Sequence, residues 1–104
     1  MTRVSLPPAV QGERLEKRGR SGQLSYYVAG RGEPMLLLHS INAAASVYEV
    51  RPVYEHALRS HRVYAPDLPG YGFSERSSRP YDINLFCDAI RDMLEVIAQA
   101  HGKA

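Results

Sequence analysis

His39, Ser40 and Asn42 follow directly on an unbroken apolar run, Met35 to Leu38, in the stretch PMLLLHSINAAAS. Imidazole, hydroxyl and amide side chains are the kinds that move protons, attack carbonyls and hold oxyanions, so the segment invites a catalytic reading. A second cluster lies at Asp67-Leu68-Pro69-Gly70-Tyr71-Gly72-Phe73-Ser74, where a carboxylate and a hydroxyl bracket a proline and two glycines. Asp67 there could serve as a general base, although a carboxylate in such a loop more often caps backbone amides. Asn42 could touch a substrate or hold a loop carbonyl, and an Asn in a turn commonly satisfies its own backbone.

The elements that must position these residues follow from periodicity. Residues 1–12, with Pro7, Pro8 and Gly12, read as an extended arm leading into a single domain over 13–104. A charged segment around Leu15 to Arg18, a turn from Gly19 to Gly22, and a Tyr- and Val-rich segment from Leu24 to Ala29 read as two antiparallel strands. The charge on the first suits a sheet edge. Met35 to Leu38, apolar without alternation, predicts a strand covered on both faces. Ser46 and Glu49 have capping-box spacing for a helix from about Val47, restarted at Pro52 and fading near Ser60. His61 to Ala65 predicts a fourth strand. Asp82 then caps a long helix whose apolar face is Phe86, Ile90, Met93, Leu94 and Ile97, stopped by Gly102. Strands alternating with helices define an α/β fold of about four strands, with one short and one long helix. In such sheets ligands bind beyond the carboxyl ends of the strands, where residues 39–45 and 66–74 fall.

Composition narrows the function classes. A chain of 104 residues supports one modest core, and 44% hydrophobic with 23% charged residues is ordinary for a globular domain. A net charge of +2 gives no electrostatic footprint for nucleic acid. Cys87 is the single cysteine, which excludes an intrachain disulfide and a cysteine-built zinc site, and its helical setting suggests a small buried filler. No export-type leader and no run of membrane-span length occurs, so a cytoplasmic location is the default expectation. No metal or organic cofactor is expected. His56 and His101 read as exposed, and His61 has no evident partner nearby. The seven tyrosines read as core edges and loop anchors, and Glu75, Arg76 and Arg79 as solvated.

Taken in order, YYVAGRGEPMLLLHS, then SVYEVRPVYEHALRSHRVYAPDLPGYGFSE, then an amphipathic helix, this sequence resembles the N-terminal part of an α/β-hydrolase fold protein, from about Leu15 to the end. The octapeptide 67–74 is similar to that family's D-x-P-G-x-G-x-S loop. The resemblance implies serine-type hydrolysis of an ester or related acyl bond, with the Ile41 backbone N–H as an oxyanion donor and His39 shaping the loop without acting as base. Ser40 stands where glycine is usual, and Ser40 and Asn42 become candidate substrate contacts. No proline follows as in the His-Gly-x-Pro form of epoxide hydrolases and dehalogenases. No G-x-S-x-G elbow occurs: Gly19-Arg20-Ser21-Gly22 lacks its spacing, and Ser74 belongs to the loop motif.

These 104 residues are therefore expected to be a truncated half-domain without nucleophile, acid or base, inactive alone and handling an acyl substrate only if completed by a C-terminal half. The family's strand order would leave Met35–Leu38 at an open edge, from which self-association is expected. The alternative is a non-catalytic binding module that uses the loop face or the edge.

Overall fold

The structure is a computed structural model and describes residues 8–41, 47–76 and 78–102. Strands β1 (Glu13–Gly19) and β2 (Gly22–Gly30) form an antiparallel hairpin, β3 is Glu33–Leu36, and β4 is His61–Pro66. A 3₁₀ turn, Val47–Val50, leads into helix α1, Arg51–Ala57, and helix α2 runs from Ile83 to His101. The sheet order is β1-β2-β4-β3, with β2 antiparallel and β3 parallel to β4.

Alternation along the strands divides the core into two layers. Leu24, Tyr26 and Val28 of β2 and Tyr64 of β4 face α2, meeting Ala89, Met93 and Ile97. The intervening Tyr27, Val63 and Ala65 face the other side, against Val47, Tyr54 and Ala57. Leu36 packs in the first layer and Met35 and Leu37 in the second, so the apolar run contributes to both faces but stays half-buried, short of the full cover its composition suggests. Its hydrogen-bonded part begins earlier than expected, at Glu33 rather than Met35, because β3 pairs with β4 from Glu33 opposite His61 to Leu36 opposite Tyr64. Leu37 adds one more ladder bond, N–H to the Tyr64 carbonyl at 2.9 Å, while Leu38 is already exposed.

Other details depart from the sequence reading. Residues 9–11, just before β1, are more than a lead-in: Val10 is buried in the second layer, the Ala9 amide donates to the Tyr27 hydroxyl, and Tyr54 donates to the Gln11 carbonyl. Burial pushes the Tyr54 phenol up to about 12. Helix α2 turns Leu85 and Ala89 inward with Met93 and Ile97, and leaves Leu94 exposed. Asp82 accepts from the Leu85 amide at 3.1 Å and starts this helix as expected. Cys87 is only half-buried. Restart at the second helical segment falls at Arg51, with Val50 at the N-cap and Pro52 in the first turn; Ser46 of the expected capping box lies outside the described residues.

A buried carboxylate joins the long helix to the first hairpin. Asp92 faces inward on α2 and accepts from the Ser21 amide at 3.0 Å, the Ser21 hydroxyl at 2.6 Å and the Arg20 amide at 3.1 Å, with the Arg20 guanidinium at 3.2 Å. Gly19 permits the approach, since a Cβ there would lie 2.5 Å from that carboxyl group. Ser21 is thereby a turn residue with its hydroxyl engaged. Asp92→Ala leaves the buried Ser21 amide and hydroxyl without their acceptor and is expected to lower unfolding stability by about 2–3 kcal/mol. Urea unfolding would check it, and a change of less than about 0.5 kcal/mol, the range of surface substitutions, would contradict the assignment.

Candidate functional site

The loop after β4 is built from its glycines and its aspartate. Gly70 and Gly72 have φ of +85° and +49°, a region that side chains rarely adopt. Successive turns follow, with Tyr71 N–H donating to the Leu68 carbonyl, Ser74 N–H to the Tyr71 carbonyl and Gly70 N–H to the Glu75 carbonyl, all at 2.9–3.0 Å. The fold back brings Gly72 so close to Asp67 that a Cβ would stand 2.3 Å from the carboxyl carbon. Proline, glycines and aspartate are thus one device, in which the chain reverses tightly around its own carboxylate.

Asp67 is almost fully buried. Its Oδ2 accepts from the Phe73 amide at 3.1 Å, across the loop, and its Oδ1 from the Val47 amide at 3.4 Å, at the start of the 3₁₀ turn. The carboxylate caps amides in two segments. Burial nevertheless pushes its pKa above the ordinary value, with the two amide bonds pulling the other way. Ser74 fastens the loop to the sheet: its hydroxyl accepts from the Ser25 amide at 2.8 Å and donates to the Asp67 carbonyl. Asp67 N–H in turn donates to the Ser25 carbonyl at 2.8 Å, extending the β2–β4 ladder into the loop.

His39 stands at the end of the β3 segment, buried, with its ring 5.1 Å from that of Tyr71 in an edge-to-face contact. Nε2 lies 3.0 Å from the Leu68 amide nitrogen and Nδ1 lies 2.7 Å from the Ser40 carbonyl oxygen. Leu68 N–H can only donate, so Nε2 must present its lone pair; a carbonyl can only accept, so Nδ1 must carry the proton. The two partners fix one neutral tautomer. They also fix a direction. In a planar trans peptide the C=O and the following N–H point opposite ways, so a carbonyl held toward His39 turns the Ile41 N–H away from it.

Ser40 and Ile41 are exposed. The Ser40 hydroxyl donates to the Glu49 carboxylate, with both oxygens at 2.8 Å. Nothing in the sequence pointed to that pair: Glu49 read as a capping residue for its own helix, and a spacing of nine residues has no periodic signature. Asn42, the other candidate substrate contact, lies outside the described residues. The remaining histidines are placed elsewhere. His101 bonds the Tyr64 hydroxyl at 2.8 Å, and His61, for which no partner was evident, bonds the adjacent Ser60 hydroxyl at 2.7 Å. Glu75 is engaged rather than merely solvated, accepting from the Gln23 amide at 2.8 Å. A hollow of about 510 Å³ lined by Tyr48, Glu49, Arg51, Pro52 and Glu55 touches the site only through Glu49. Among the described residues no group of three His, Cys, Asp or Glu could hold a metal ion, and no helix is long and apolar enough to cross a membrane.

Comparison with known proteins agrees with this geometry. Residues 33–104 match the family model described as alpha/beta hydrolase fold. Uncharacterized proteins of Mycobacterium tuberculosis and Mycobacterium bovis are each 28% identical over 91 residues, which is 88% of this chain and 25% of theirs. Among solved structures, an epoxide hydrolase, CorEH, superposes with a TM-score of 0.72 at 28% identity, covering 82% of this chain and 29% of that one. A loop variant of a haloalkane dehalogenase from Bradyrhizobium elkanii gives 0.73 at 22% identity, covering 83% and 28%. The chain therefore spans between a quarter and a third of the length of these relatives.

The Asp67 environment makes a pH prediction. Because its native pKa is raised, the folded state holds the proton more readily than the unfolded one, and the ionised group opposes folding at neutral pH. As pH falls from above the raised value through the ordinary carboxylate value, this opposition is relieved. The stability of the parent minus that of Asp67→Asn is expected to increase between pH 7 and pH 4 in matched urea titrations. A difference that shrinks over that interval would contradict the assignment.

Proposed function

This chain belongs to the alpha/beta hydrolase fold family, and from that premise we propose that it supplies the oxyanion side of a site for hydrolysis of an ester or related acyl bond. The Ile41 N–H is the donor, aimed by His39, and the nucleophile, acid and base come from sequence beyond these 104 residues. The observation that carries this reading is the Ser40 carbonyl held 2.7 Å from Nδ1, which leaves the antiparallel Ile41 amide facing the other way on an exposed residue. Attack on an acyl carbonyl places negative charge on its oxygen, and a fixed N–H stabilises that charge without reorganising as it forms. His39 is not the base. Its one lone pair is taken by Leu68 and its one proton by Ser40, so it has no valence left for a substrate. It acts through the loop, as a positioning residue.

The likeness to an epoxide hydrolase favours a second reading within the same architecture, epoxide opening, for which a carboxylate nucleophile would form an ester intermediate. Hydrolysis of that ester again passes through an oxyanion, so the same amide would serve. Acyl hydrolysis stands first because His39-Ser40-Ile41-Asn42 has Asn42, and not proline, at the fourth position of the epoxide hydrolase and dehalogenase form of the motif.

The far edge of β3 ends the described sheet order, and its residues Met35 to Leu37 are only half-buried. That edge is the proposed pairing site, for a second copy or for a polypeptide completing the domain. Two measurements on one purified preparation test the proposal. Turnover of p-nitrophenyl acetate by the 104-residue chain is expected to equal that of Ile41→Pro, which has no amide to donate, and light scattering is expected to give a mass that rises with concentration. Turnover clearly above the Ile41→Pro variant would show a working nucleophile within the chain and overturn the division of labour. A concentration-independent monomer would remove the edge-pairing element and favour a stand-alone binding module.

A further inference from the structure

We propose that Glu49 is a second positioning residue for the Ile41 amide, acting through the Ser40 hydroxyl as a latch across the segment between β3 and the 3₁₀ turn. The proposal rests on the oxyanion reading for its purpose, but not for its geometry. Two atoms of Ser40 are held from two directions: its carbonyl oxygen by Nδ1 of the adjacent His39 at 2.7 Å, and its Oγ by the Glu49 carboxylate of the 3₁₀ turn at 2.8 Å.

One bond to the carbonyl leaves the peptide plane free to rock about the C=O axis, and that motion swings the Ile41 N–H through an arc. A second bond at Oγ, off that axis, stops the swing. The far end of this tether is itself fixed. Glu49 lies in the turn Val47–Val50, where Val47 is fully buried and gives its amide to Asp67. The carboxylate therefore connects an exposed loop residue to a turn whose first residue is buried and bonded to Asp67. A charge-assisted hydroxyl–carboxylate bond also exceeds a neutral one in strength, which suits a contact that must persist in solvent.

The latch is read by ¹⁵N relaxation on the 104-residue chain, with the Leu68 amide, held by His39, as internal reference. In the parent the Ile41 amide is expected to show an order parameter near that of rigid backbone, about 0.85, and in Ser40→Ala and Glu49→Ala to fall below about 0.6, with Leu68 unchanged. Ser40→Thr, which keeps the hydroxyl, and Glu49→Gln, which keeps an acceptor oxygen, are expected to restore most of the order. Combining Ser40→Ala with Glu49→Ala should give a loss smaller than the sum of the two single changes, since both remove the Ser40–Glu49 contact.

An Ile41 amide already mobile in the parent, or equally ordered in all variants, would overturn the latch. So would a joint loss at Ile41 and Leu68, or unfolding of both alanine variants, either of which would make the pair a general support of the fold. None of these readouts depends on catalysis. An ordered Ile41 amide in a completed enzyme that ignores Ile41→Pro would instead refute the oxyanion reading and leave the latch standing.

Discussion

A neutral imidazole has one N–H and one lone pair, on opposite sides of the ring. His39 lies between a group that can only donate and a group that can only accept, the Leu68 amide and the Ser40 carbonyl. The remaining geometry of the loop face depends on that match. If the Leu68 amide were satisfied by another acceptor, either tautomer would be allowed and the Ser40 carbonyl could turn. The amide is presented because β4 ends in a tight reversal around Asp67, and the reversal holds because Gly72 leaves room for the carboxyl group. Ser74 and Ser25 then fix the reversal to the middle of the sheet.

Two strands therefore contribute to one peptide plane. The loop after β3 carries the plane itself, and the loop after β4 dictates the state of the histidine beside it. Their parallel pairing places both carboxyl ends on the same side of the sheet, where open α/β folds bind ligands. The two-layer core makes this possible in a small chain: β2 and β4 bury side chains on both faces, against α2 and against α1 with the residues before β1. β3, at the end of the sheet order, is only half-covered. The strand that leads into the proposed donor is also the one with an edge to share.

Much of this was legible from residue order. The hairpin, the four strands, the Asp82 cap and the long helix each follow from periodicity and turn chemistry, and the loop at 67–74 from its glycines. What escaped the sequence was contact between distant segments. Asp92 sits at a buried position of an amphipathic helix, where a charge looks like an error until the hairpin amides of Arg20 and Ser21 are brought to it. Glu49 fitted a local capping pattern and binds Ser40 from another segment. On α2, Met93 and Ile97 face the core as their spacing predicts, but Leu94 is exposed and Leu85 and Ala89 are buried; alanine gives little hydrophobic signal although it permits close packing on the sheet. Pairings of this kind have no period, and only the fold supplies them.

Everything on the loop face turns on His39 being held in the tautomer protonated at Nδ1. Imidazole ¹⁵N NMR of the folded chain near neutral pH measures this directly. The expected spectrum has a protonated Nδ1 and an unprotonated Nε2, with a coupling across the hydrogen bond between Nε2 and the Leu68 amide. A spectrum with the proton on Nε2, or one averaged between tautomers, would contradict it.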